Sequence, residues 1–185
     1  MLTLGTQAPP FALPDPTGRV WSFDDVAGAN GTLVAFVCNH CPYVRHIAPR
    51  LGVVAAGWID SGIGVIGVNS NDTTSHPDDR PEQMAKQAVE WNWTFPYVTD
   101  EDQSAALAYR AACTPDFFLF DADRRLAYRG RFDTARPRND EPVTGDELDA
   151  AVRSVLAGDP VDVDQWPSIG CNIKWKPANT PAWYA

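Results

Sequence analysis

Thr32-Leu33-Val34-Ala35-Phe36-Val37-Cys38-Asn39-His40-Cys41-Pro42 is the stretch from which the rest of the chain is read. Its first six residues are a short apolar run behind the turn signal Asn30-Gly31, the pattern of a strand covered on both faces. Pro42 suits the first position of a helix, where its missing N–H costs nothing, and the pattern predicts a helix from there to about Trp58. Ile63 to Val68 then repeats the buried-strand pattern, so the segment reads as a parallel strand-helix-strand unit.

Cys38 and Cys41 sit where the first strand meets the helix. In that setting a C-x-x-C pair reads as a redox motif. Unpaired N–H groups and the dipole at a helix start stabilise a thiolate, which is the reactive form of cysteine. The spacing lets a second sulfur resolve a mixed disulfide within one molecule. With Pro42 opening the helix, Cys41 is the capping residue and is expected to be the nucleophile, with Cys38 as its partner. His40 would favour the thiolate if protonated; as an exposed loop imidazole it would do nothing, and both readings stand open. Half of a zinc site and a chance pair of buried cysteines are the competing readings of the pair. A second close Cys or His pair is not evident, so neither a metal nor a cofactor is expected.

Outward from this centre, Phe11–Leu13 and Arg19–Phe23 around Pro14-Asp15-Pro16-Thr17-Gly18 read as an N-terminal hairpin. Asp79 and Pro81 are expected to open a helix with Met84, Ala88 and Trp91 on one face, and Asp100 to cap a shorter one through Tyr109. Phe117–Phe120 and Leu126–Arg131 flank Asp121-Ala122-Asp123 as an antiparallel pair. Thr144 and Glu147 suggest a capping box for a last helix that buries Leu148, Val152 and Val155 and stops at Gly158. From Pro160 the chain is rich in proline and tryptophan without periodicity. The expected organisation is therefore one domain over residues 1–159 with a tail, 160–185, packed on it.

The chain has 185 residues, 44% hydrophobic and 21% charged, with a net charge of -9 and a pI near 4.6. An acidic field of that size repels phosphate backbones and anionic lipid, so neither nucleic acid nor a membrane is an expected partner. No run approaches the roughly 18 apolar residues of a membrane span. Met1-Leu2-Thr3-Leu4-Gly5 has no basic leader, and the expected compartment is cytoplasmic. In a reducing cytoplasm, four cysteines are poor candidates for structural staples.

The opening Gly5-x-x-Ala8-Pro9-x-Phe11-x-Leu13-Pro14-Asp15, the Cys38/Cys41 pair, and Thr114-Pro115 ahead of a strand resemble the alkyl hydroperoxide reductase/thiol-specific antioxidant (redoxin) branch of the thioredoxin superfamily. More narrowly, the chain is similar to the peroxiredoxin-like group that carries a thioredoxin-type C-x-x-C. The likeness runs from Leu4 to Gly170-Cys171-Asn172-Ile173-Lys174-Trp175. It implies an α/β, thioredoxin-like fold: a central mixed β-sheet flanked by helices, with an N-terminal β-hairpin extension and an irregular C-terminal tail. It also implies that Pro115 is cis and faces the cysteines, with Thr114 offering backbone groups to a partner; a trans proline opening an edge strand is the plain alternative. Asn39, His40 and Pro42 complete the expected partner-binding set.

Two departures from the family pattern bear on activity. Proline follows Cys41 instead of standing between the cysteines. The peroxidatic P-x-x-x-T/S-x-x-C signature is missing, since Val34 stands where a proline would precede Cys38 and Cys38 itself occupies the threonine position before Cys41. Arg131 is the weak candidate to complete a peroxide-activating network, a solvated strand end being its plainer reading. The expected activity is thiol–disulfide exchange on protein disulfide or thiol substrates, with an unidentified electron donor. A hydroperoxide-consuming peroxidase is the alternative, and a copper-binding assembly factor a more distant one. Cys113 and Cys171 are either auxiliary redox thiols or small apolar residues. Asn69-Ser70-Asn71-Asp72 is a candidate partner-contact loop, His46 is read as part of an exposed helix face, and His76 carries no signal.

Overall fold

A computed structural model describes residues 2–184, so Met1 and Ala185, the ends of the expected domain and tail, lie outside the described residues. The N-terminal hairpin is β1 (Ala12–Pro14) with β2 (Val20–Ser22), followed by a one-turn helix α1 (Phe23–Val26). That turn has a true capping box: the Ser22 hydroxyl accepts from the Asp25 N–H, and the Asp25 carboxylate accepts from the Ser22 N–H.

The central sheet is built from β3 (Gly31–Phe36), β4 (Ile63–Asn69), β5 (Tyr97–Thr99), β7 (Asp116–Asp121) and β8 (Leu126–Gly130), in the order β5-β4-β3-β7-β8. β3, β4 and β5 run parallel, while β7 lies antiparallel to β3 with Phe36 opposite Asp116. β3 is buried along its whole length because both faces are covered. Leu33, Ala35 and Val37 join one apolar cluster with α2 (Pro42–Asp60), Met84 of α3 (Pro81–Glu90) and Leu148 of α5 (Asp146–Ala157). Val34 and Phe36 join the other, with Phe23, Tyr109 of α4 (Ser104–Tyr109) and Ile173 of the tail. The alternation along one strand thus decides which side each helix covers.

Three local expectations differ from the structure. α5 starts from Gly145 at φ 73 with no side-chain cap, because Glu147 is drawn instead to the Arg131 guanidinium. Asp79 does not open α3: Arg80 is its cap, and Asp79 ends a 3-10 turn, Pro77–Asp79, with its carboxylate turned into the body. Asp100 does satisfy the start of α4, accepting from the N–H groups of Ala105 and Ala106, but from five and six residues away. At the other end of α5, Gly158 closes the helix at φ 72, where a side chain would be strained.

The tail is largely irregular, yet it carries a short strand, β9 (Cys171–Asn172), paired antiparallel to β6 (Cys113–Thr114) with Thr114 opposite Cys171. Gly170 makes that approach possible, since a Cβ there would lie 2.0 Å from the Thr114 carbonyl oxygen. Among the described residues no helix is long and apolar enough to cross a membrane.

Candidate active site

β3 delivers Cys38 at its end, and α2 begins one residue after Cys41, which caps the helix in an extended conformation with Pro42 next. Both cysteine side chains are fully buried, Pro42 is exposed, and Cys171 alone of the four cysteines is partly open to solvent. Thr114 faces the pair from β6, and its bond to Pro115 is cis. The Thr114 hydroxyl is 3.2 Å from Cys38 Sγ, and the Cys41 thiol, when protonated, donates to the Thr114 carbonyl at 3.1 Å.

The surroundings separate the two sulfurs electrically. Burial pushes the Cys38 thiol well up, and its position beside Cys41 and Asp79 adds to this. Cys41 is drawn down to about 5: a hydrogen bond from Cys38 outweighs burial, and further bonds from Cys171, the Val44 N–H and Thr114 act in the same direction. At neutral pH the arrangement is a thiolate at the helix start flanked by protonated thiols. Cys171, within hydrogen-bonding reach of Cys41, is pushed up to about 12 by burial and by that contact. The Cys113 thiol lies 3.7 Å from the Pro115 carbonyl and is raised by burial.

The loop between the cysteines is tied down by Asp79. Its Oδ1 accepts from the N–H groups of Asn39 (2.8 Å) and His40 (3.2 Å), and its Oδ2 meets His40 Nδ1 at 2.6 Å and Asn71 Nδ2 at 2.9 Å. Burial opposes ionisation of this carboxyl, but the bonds from His40, Asn71 and Asn39 outweigh it and hold the group below the usual carboxylate range. Asn39 is buried, its amide NH2 bound to the Asp78 carbonyl and its Oδ1 to the Tyr97 hydroxyl. His40 lies partly exposed against His76, ring centroids 4.5 Å apart, so His76 belongs to this neighbourhood although its sequence gave no sign of it. His46 is partly buried, with Nε2 enclosed, and does not lie on an open helix face.

Asn69, Ser70 and Asn71 are buried, and they bind the site's supports together. Asn71 Oδ1 accepts from the Lys174 N–H of the tail while its amide reaches Asp79. Asp116, next after Pro115, is buried, with one carboxylate oxygen unpartnered, and burial raises it to about 7. Arg131 is held by Glu147. Cys38, His40 and Asp79 each offer a ligand atom within 4.8 Å of the others, but both Asp79 oxygens already accept hydrogen bonds.

The contributions of Asp79, Asp116 and His76 are missing from the sequence reading, and Asn71, expected in a partner-contact loop, is instead buried and tied to Asp79 and the tail. Their partners lie far along the chain, and Asp79 in particular carried a local signal, helix capping, that pointed elsewhere.

A mixed five-stranded sheet whose first central strand ends in paired cysteines opposite a cis proline defines a thioredoxin-like protein. The chain belongs to the AhpC/TSA family, whose sequence pattern matches residues 4–129. It is similar to an uncharacterized conserved protein from Geobacillus kaustophilus, with 48% identity over 96% of this chain and 94% of that one and a TM-score of 0.93. A hypothetical protein from Sinorhizobium meliloti 1021 is 45% identical over 96% and 97% of the two chains, with a TM-score of 0.93. A thiol:disulfide interchange protein of the thioredoxin family from Chlorobium tepidum shares the fold at 17% identity, with a TM-score of 0.63 over 84% of this chain and 99% of that one. A comparison with curated proteins gives no match.

Proposed function

We propose that this protein is a thiol–disulfide oxidoreductase that acts on protein disulfides through a Cys38/Cys41 couple. The observation that carries the reading is the placement of the pair: Cys41 caps the start of α2, and both sulfurs face Thr114 beside the cis Pro115, a setting that draws the Cys41 thiol down and holds the buried Cys38 thiol up. The Cys41 thiolate attacks one sulfur of a substrate disulfide, and the other leaves as a thiolate and takes a proton. Cys38 then attacks the Cys41 sulfur, its proton passing to the departing substrate sulfur. The substrate gains two electrons and two protons, and Cys38 and Cys41 are left as a disulfide.

Thr114 and Pro115 lie buried beside the sulfurs with the Thr114 backbone paired to β9, so an extended substrate segment would take the place of the tail at Thr114, with His40 and the exposed Pro42 at its edge. Asn39, engaged by Asp78, Asp79 and Tyr97, positions the loop instead of meeting substrate. An external thiol donor returns the couple to the dithiol. In this reading residues 1–159 and the tail 160–185 work as one unit, in the cytoplasm.

Insulin reduction and hydroperoxide consumption, assayed side by side, test the reading. Wild type is expected to reduce insulin, and Cys41→Ser to lose the activity. Hydroperoxide turnover without insulin reduction would replace it with the peroxidase alternative, which the pairing of Arg131 with Glu147 does not favour.

A further inference from the structure

We propose that Cys171 is a second resolving thiol, so that Cys41 is shared between an inner partner, Cys38, and an outer one, Cys171. The inference rests on the Cys41 thiolate chemistry proposed above and adds a route to the surface.

Three observations lead to it. Cys171 stands opposite Thr114 in the β6–β9 pair, and Cys41 meets the carbonyl of that same Thr114, so Cys171 and Cys38 both neighbour the Cys41 sulfur. The contact is built, not incidental: β9 pairs with β6 so that Cys171 stands opposite Thr114, and Gly170 lets the chain press against the same Thr114 carbonyl that Cys41 meets. The register is anchored just beyond Cys171, by Ile173 N–H to the Ala112 carbonyl and Lys174 N–H to Asn71 Oδ1. Finally, Cys38 and Cys41 are both sealed, whereas Cys171 is partly exposed. Of the two disulfides that Cys41 could enter, the one with Cys171 offers an external thiol a partly exposed sulfur. Cys113 lacks this role because its thiol is turned to the Pro115 carbonyl.

The step balances. With a substrate fragment held on Cys41 as a mixed disulfide, the Cys171 sulfur attacks the Cys41 sulfur. The bond between Cys41 and the substrate sulfur breaks, and the Cys171 proton goes to the departing sulfur, which leaves as a thiol. Overall, the protein disulfide substrate is reduced to two thiols by the electrons of Cys41 and Cys171, which become joined. Cys38 remains a thiol throughout.

The experiment is disulfide mapping. Reduced wild type, Cys38→Ser and Cys171→Ser are oxidised with limiting diamide, quenched in acid, alkylated, digested at low pH and read by mass spectrometry. The expected result is a Cys41–Cys171 linkage in Cys38→Ser and, beside Cys38–Cys41, in wild type. Deprived of the inner resolving thiol, Cys38→Ser should retain a residual insulin reduction that Cys41→Ser lacks. If Cys41 and Cys171 are both alkylated in Cys38→Ser and wild type yields Cys38–Cys41 alone, the inference is overturned while the Cys38/Cys41 couple stands. Should Cys38→Ser not fold, the wild-type map decides by itself. If wild type and Cys171→Ser form no Cys38–Cys41 linkage, that couple fails, and the presence or absence of Cys41–Cys171 in wild type still decides the outer thiol.

Discussion

Asp79 holds His40 by Nδ1 at 2.6 Å and, with its other oxygen, the backbone N–H groups of Asn39 and His40, so a single buried carboxylate fixes the loop that sets Cys38 and Cys41 side by side. Its four bonds include two to the main chain. The loop's conformation therefore depends on a negative charge supplied by a different segment of the chain.

Asp79→Asn is expected to keep the shape and lose the charge, costing about 3 kcal/mol because charge-assisted bonds in a buried site are weakened together. The carboxyl is depressed in the folded protein, so its contribution is present above the unfolded pKa and is lost as pH falls through the lower folded value. Urea unfolding of wild type and variant should thus differ most at neutral pH and converge below about pH 4. A constant difference across that range would remove the carboxylate from the account.

Cys41 should titrate near pH 5, with its thiolate absorbance lost in Cys41→Ser and retained in Cys113→Ser. Its depressed pKa stabilises the reduced fold at pH above the unfolded value, and that stability drains away as pH falls toward about 5. Cys38→Ser removes the largest lowering contact on Cys41 if the serine hydroxyl donates less well, and the midpoint should then rise. A midpoint near that of an ordinary cysteine in the wild type would undo the proposed nucleophile.

Much of this centre is legible in the sequence because it is local. Cys41 and Pro42 are neighbours, and proline's preference for the first helical turn fixes which cysteine caps the helix. The apolar run ending at Val37 likewise announces its own burial. What cannot be read is whatever depends on distant segments meeting: Asp79 reaches Asn39 across 40 positions, and Cys171 meets Cys41 only because β9 selects Thr114 as its partner. Thr144 and Glu147 show the converse error, a local motif overruled when Arg131 offered the glutamate a stronger partner.

Asp116 carries the opposite sign to Asp79. Burial raises it to about 7, so its contribution is complete below the unfolded value of 3.8 and is lost as pH rises through about 7. The stability of wild type minus that of Asp116→Asn should therefore decline by up to on the order of 4 kcal/mol between acid and mildly alkaline pH. Taking the difference cancels the contribution of Cys41, which runs the other way. Parallel pH profiles for the two proteins would show that Asp116 titrates as an ordinary carboxyl.

Gly170→Ala tests whether the tail seals the cysteines. A Cβ at this position would sit 2.0 Å from the Thr114 carbonyl oxygen and 3.1 Å from Pro115 N, both backbone atoms that cannot swing aside as a flexible side chain would. The tail must therefore lift from β6, which separates Cys171 from Cys41 and uncovers the Cys41 sulfur. The expected outcome is a loss of about 1–3 kcal/mol in stability, as for other overpacked sites, together with faster modification of Cys41 by iodoacetamide. Because one lowering contact on Cys41 goes with the tail, its thiolate midpoint should also move upward from about 5. Loss of stability with no gain in Cys41 reactivity would mean that the sulfur is covered by something other than the segment around Gly170.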